Sequence, residues 1–175
     1  MTGSSGNGMR WMAGLVGLVI AAAIGIGAVL AVLASVIGDD ETPVLALEIG
    51  DCVQLDLAPS GPDLARVPRV SCEQEHNGEV FHAEQLDPDG DRAYPPSDDI
   101  LFREVIFRCV RPGDLGEPSP FETFVGVPFS DSEFDVFPIA PDPEAWVSTG
   151  GRFVCLVVPA EDDAVLIGSV RGSKR

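Results

Sequence analysis

The 175-residue sequence predicts an N-terminal transmembrane helix followed by a small disulfide-linked domain of the α+β class, with four to six short strands and one main helix. Three observations predict it. The run from Trp11 to Gly38 contains no charged residue, all four cysteines lie beyond that run, and the remainder reads as short β-rich stretches around a single capped helical one.

The run WMAGLVGLVIAAAIGIGAVLAVLASVIG, residues 11–38, is longer than the ~20 apolar residues that cross a bilayer core. Val32-Leu33-Ala34 before Ser35 offers a signal-peptidase cleavage site, but a signal peptide needs an apolar stretch of only about 7 to 15 residues, so an uncleaved anchor is the preferred reading. The α-amine and Arg10 lie on one side and Asp39, Asp40 and Glu41 on the other. The positive-inside rule then puts residues 1–10 in the cytoplasm as a short tail and everything after residue 38 outside the cell membrane. Residues 39–43 read as a linker, 44–172 as the extracytoplasmic domain, and 173–175 as a disordered tail.

Within the domain, VLALEIGDCVQLDL alternates as strands interrupted at Gly50-Asp51, and Ser60-Gly61-Pro62-Asp63 is a loop. RVPRVSC, residues 66–72, reads as a strand whose first half Pro68 confines to an edge. EVFHAEQL, residues 79–86, alternates cleanly and ends at DPDGD. Ser97-Asp98-Asp99 caps the helical stretch ILFREVIFRCV, which has apolar residues at 101, 102, 105, 106, 109 and 110, and Arg111-Pro112-Gly113 stops it. Residues 117–145 are rich in Pro and Phe and read as loop-dominated, with FDVFPIA as a strand. RFVCLVV at 152–158 and VLIGSV at 165–170 complete the set of strands.

An even number of cysteines outside the membrane, with no CxxC among them, points to two disulfides. Three pairings are open. Cys52 with Cys72 and Cys109 with Cys155 is favoured, because the first pair closes the shortest loop between neighbouring β-like segments and Cys109 lies on the buried stripe of the helix.

All 28 Asp and Glu and only 10 of the 11 Lys and Arg lie beyond residue 38, and the chain carries a net charge of −17. Such a surface repels nucleic acid, so none is expected as a partner. It suits cations or basic proteins instead.

The residues densest in chemistry are those of VSCEQEHNGEVF, residues 70–81. His76, Glu79 and His82 are spaced three apart, as on a metal-binding helix face, yet Gly78 and the EVF that follows predict a turn and a strand, where Glu79 and His82 face opposite sides. His76 then belongs to the turn after Cys72, bonded to local backbone. Asp87, Asp89 and Asp91 lack the order and closing Glu of a calcium loop. Oxidised Cys72 is no nucleophile, and no Ser lies in a G-x-S-x-G context. Trp146 reads as a core plug over the disulfide region, and Arg171 as a guanidinium that pairs with one of the many acids. No catalytic residue, metal or cofactor is expected.

The succession GDC at 50–52, VSCEQEHNGEVF at 70–81, helical Cys109, PEAW at 143–146, GRFVCL at 151–156 and GSVRG at 168–172 resembles the septum formation family of high-GC Gram-positive bacteria. The resemblance spans most of residues 46–172, and the chain departs from it in the longer acidic, Pro-rich insert around 117–143. It implies a single membrane anchor carrying one extracytoplasmic domain, with a role in cell division or the envelope but no established reaction. The expectation is therefore a membrane-anchored binding or scaffold module with envelope or division proteins as partners. An envelope hydrolase using carboxylates, or an acidic cation-responsive sensor, is the alternative.

Overall fold

The alternating apolar runs of the domain pair into one six-stranded sheet. In chain order the strands are β1 (Glu41–Pro43), β2 (Cys52–Val53), β3 (Arg66–Val70), β4 (Gly78–Gln85), β5 (Phe134–Ile139) and β6 (Arg152–Pro159). They lie in the order β1-β3-β2-β4-β6-β5, every neighbouring pair antiparallel. The helices are α1 (Asp98–Val110), α2 (Pro120–Val125) and α3 (Pro143–Thr149). This computed structural model describes residues 41–56, 65–161 and 164–175. The transmembrane helix and cytoplasmic tail expected for residues 1–38, and the loop expected at 60–63, lie outside the described residues. Among the described residues no helix is long and apolar enough to cross a membrane.

Strand β6 explains the architecture. It pairs with β4 on one side and β5 on the other, and its side chains are buried toward both faces. Phe153, Cys155 and Val157 join one core, and Val154, Leu156 and Val158 join another, as the two-residue period of a strand requires. The first core lies under the helices and includes Leu101, Val105 and Cys109 of α1, Phe121, Phe124 and Val125 of α2, and Trp146 of α3. The second is covered by Val44, Leu47, Val53, Leu55 and Val67. The guanidinium of Arg152 pins that cover by donating to the carbonyls of Leu45 (2.6 Å) and Leu47 (2.9 Å).

Two disulfides, Cys52–Cys72 and Cys109–Cys155, lock the α+β arrangement. The first ties β2 to the end of β3, its neighbour. The second ties α1 to β6 through the first core.

The structure departs from the expected elements in several places. Glu41–Pro43, read as linker, pairs as β1 with β3. Val44–Ala46 is a short 3-10 turn, so the strand expected there shrinks to Cys52–Val53. Pro68 falls in the half of β3 that pairs only with β1, since β2 takes Arg69 and Val70. On α1 the inward stripe is Leu101, Val105 and Cys109; Phe102 is 50% exposed, because a residue one position beyond Leu101 is turned about 100° away from the stripe. The loop expected at 117–145 contains α2 and all but the last four residues of α3. Residues 165–170 form no strand but a single bridge, Leu166 to His76. The tail at 173–175 is held: the Lys174 amide donates to the Val125 carbonyl at 2.9 Å, Arg175 pairs with Glu133 at 3.3 Å, and its guanidinium stacks on Phe134.

Candidate functional site

The stretch 70–81 is a latch that clasps the C-terminal segment. His76 is fully buried, and its backbone amide and carbonyl both bond Leu166, at 3.1 and 2.7 Å. Its Nδ1 faces the Gln74 carbonyl at 2.9 Å, the local backbone bond expected of the turn. Glu79, 1% exposed, accepts from the Ser169 hydroxyl (2.6 Å) and from the Val170 amide (2.7 Å). A buried carboxylate tolerates loss of water only if its oxygens are bonded, and here the GSVRG segment supplies both donors.

His76 and Glu79 therefore meet, while His82 stays apart for a different reason from the one expected. A β-bulge between Val80 and His82 puts Phe81 in as an extra residue. Glu79 opposes Val157 and His82 opposes Cys155, two residues apart on one face of β6. Glu79 and His82 thus share the helix-covered face instead of diverging across the pleat. His82 stacks on Phe153 and approaches Glu84 at 3.3 Å, away from the latch.

Beyond the latch the chain delivers Arg171 to a groove of about 640 Å³ between the β4 bulge, the C-terminal end of α1 and α2. The Arg171 guanidinium lies 4.7 Å above the Phe124 ring. It forms no ion pair among the described residues, contrary to the expected pairing with an acid; its tip lies beside Gly50. Arg108 and Arg111 also line the groove. Arg108 is bound to Glu84 and, at 3.8 Å, to Glu104. Arg111 stacks on Phe107 at 4.5 Å and reaches Asp114 at 3.6 Å. Phe81, Phe124 and Pro120 supply apolar walls, Thr123 a polar point, and Glu117 an acid at the rim. Arg108 and Arg111 escaped the sequence reading, although their spacing of one helical turn at a helix end was a visible signal.

Trp146 is buried in the core that holds Cys109–Cys155. Its indole N–H donates to the Arg92 carbonyl at 3.1 Å, its ring meets Tyr94 edge-on, and it rests against the backbone of Gly151. The DPDGD turn is closed by Asp87, whose Oδ1 accepts from the amides of Asp91 and Arg92, both at 3.0 Å. Arg92 in turn holds Glu104 of α1 in a two-pronged bond. That bond lowers the Glu104 pKa below its ordinary value, and the charges of Arg92 and Arg108 lower it further against the cost of burial. Tyr94 is shifted up by burial and by its bond to Asp98.

Chemically, then, the latch is structural and the groove is receptive. No family model, curated protein or solved structure matches the chain.

Proposed function

We propose that this protein is a binding module whose groove takes an organic anion with an apolar body, and that it acts outside the membrane in envelope assembly or cell division. One observation carries the ligand class: three of the chain's 11 basic side chains line a single apolar-walled groove in a molecule of net charge −17. Arg108 and Arg111 are held by Glu84, Glu104 and Asp114, so the sign of the ligand is set chiefly by Arg171. Among the described residues Arg171 has no carboxylate partner to give up, so an incoming carboxylate or phosphate gains a charge-assisted bond without breaking an existing pair. The volume falls within the ~300–1,000 Å³ range usual for small-molecule sites. Two disulfides favour an oxidising compartment. The uncharged run 11–38 and the resemblance to the septum formation family support the anchored, extracytoplasmic role.

Titration of octanoate, octyl phosphate and octyltrimethylammonium, followed by NMR at the Phe124 ring and Arg171 Nε, tests the ligand class. Both anions should shift these signals saturably, the cation should not, and Arg171→Ala should weaken the anions about tenfold or more, as loss of one charged bond of ~1.5–3 kcal/mol requires. An equal response to the cation, or none to any of the three, would refute it. Crosslinking of the full chain in its own membranes tests the role: recovery of division or wall-synthesis proteins supports it, and recovery of background alone counts against it.

A further inference from the structure

The latch contains a second chemistry that its structural role leaves unused. One ligand atom each from Cys52, His76 and Glu79 lie within 4.8 Å of one another, and the three residues are 1%, 0% and 1% exposed. The fourth neighbour is Cys72, whose sulfur is bonded to that of Cys52. His76 Nε2 is buried without a hydrogen-bond partner. Since Nδ1 donates its proton to the Gln74 carbonyl, the neutral ring keeps its lone pair on Nε2, with nothing to receive it. An orphaned acceptor at such depth is a cost that a folded core rarely leaves in place.

We infer that Cys52, Cys72, His76 and Glu79 form a latent site for zinc or a similar divalent cation, closed by the disulfide and opened by its reduction. The donor set fits: two thiolates, one imidazole and one carboxylate make a four-coordinate zinc site, with bonds of ~2.3 Å to sulfur and ~2.0 Å to nitrogen and oxygen. The supporting bonds are already present. Zinc-bound histidines characteristically donate their other N–H to a carbonyl, as His76 does to Gln74, and ligating carboxylates are themselves hydrogen-bonded, as Glu79 is by Ser169 and Val170. What the oxidised protein lacks is the thiolate pair.

The chemistry balances with an external dithiol as reductant. The Cys52–Cys72 bond breaks as it takes two electrons and two protons, giving two thiols, while the dithiol closes to its own disulfide. The cation then displaces both thiol protons to solvent and accepts lone pairs from two sulfurs, Nε2 and one Glu79 oxygen. Among the described residues no comparable set of ligand atoms converges on Cys109–Cys155, although His82 opposes Cys155, so the two disulfides divide the work: one holds the core, the other guards a metal site.

Cobalt serves as a spectroscopic probe. The full chain, reduced anaerobically with a phosphine and titrated with Co²⁺, should develop the thiolate-to-cobalt and tetrahedral visible bands at one equivalent, and Zn²⁺ should displace them. The oxidised chain should show neither. C109A/C155A should keep the spectrum, C52A/C72A should abolish it, and His76→Gln and Glu79→Gln should each weaken binding at least tenfold. Alkylation of the reduced wild type, read by mass spectrometry, needs no variant to fold: zinc should protect Cys52 and Cys72 and leave Cys109 and Cys155 open to labelling. If reduction unfolds the chain, zinc should restore its circular dichroism. No tetrahedral spectrum, equal protection of all four cysteines, or failure of zinc to restore a chain unfolded by reduction would each overturn the inference.

Discussion

At the scale of single residues, Glu79 and Arg171 divide the labour of the C-terminal segment. Glu79 secures Ser169 and Val170, and the same backbone then presents Arg171 at the groove. Glu79→Ala leaves the buried Val170 amide without an acceptor and removes the bond to the Ser169 hydroxyl, so it should destabilise the fold by about 1–3 kcal/mol in urea denaturation. Hydrogen exchange at the Val170 amide should accelerate by more than that of β6 amides, because the loss is local first. Equal acceleration of both would mean that the latch and the sheet open as one unit. Much of this was half-legible. The sequence marks His76, Glu79 and Arg171 as unusual residues, but nothing in residues 70–81 says that the partners of His76 and Glu79 lie about 90 positions later.

At the scale of elements, the missed helices carry a signature that composition obscured. Ser119-Pro120 with Glu122, and Asp142-Pro143 with Glu144, each place a capping oxygen, a proline at the first helical position and an acid in the first turn. The Ser119 hydroxyl accepts from the Glu122 amide at 3.0 Å and the Asp142 carboxylate from Ala145 at 2.7 Å. Gly126 and Gly150 close the helices with φ of 97° and 64°, a conformation that a side chain disfavours. Richness in Pro thus read as loop where it marked helix starts. Ser119→Ala and Asp142→Ala should each cost about 1 kcal/mol, visible as a shift in the thermal midpoint. The α1 network gives a pH prediction. Glu104 is held below its ordinary pKa of 4.5, so its contribution to stability is complete above that value and is lost as pH falls from 4.5 through the lowered one. Glu104→Gln should therefore flatten the stability–pH slope below pH 4.5 relative to wild type. An unchanged slope would show that the bond to Arg92 contributes nothing.

At the scale of the whole molecule, two cross-links and one net charge set the behaviour. The disulfides close loops of 20 and 46 residues, for which the chain-entropy account gives about 3 and about 4 kcal/mol. C109A/C155A should lower stability more than C52A/C72A, since it also opens a void among fully buried neighbours. Denaturant midpoints of the two double variants decide this. The net charge of −17 opposes any anion approaching the groove, whereas the arginines act at close range. Salt at ~0.15 M screens fields beyond ~8 Å and leaves contacts largely intact. The association rate of octanoate should accordingly rise, not fall, from low salt to ~0.15 M in stopped-flow measurements. A fall would mean that the local arginine field dominates at long range.

The sequence by itself determined the α+β class of the domain, its two disulfides and the positions of β4, β5, β6 and α1. Those properties follow from local alternation, capping and cysteine placement, which a short window of chain contains. The tertiary structure decided which disulfide pairing holds, that Glu79 and His82 share a face, that residues 165–170 are clasped instead of paired as a strand, and that three arginines from two distant segments line one groove. Each of these depends on a contact between segments far apart in sequence or on a single inserted residue in a ladder. Such information is expressed only when the strands are in register.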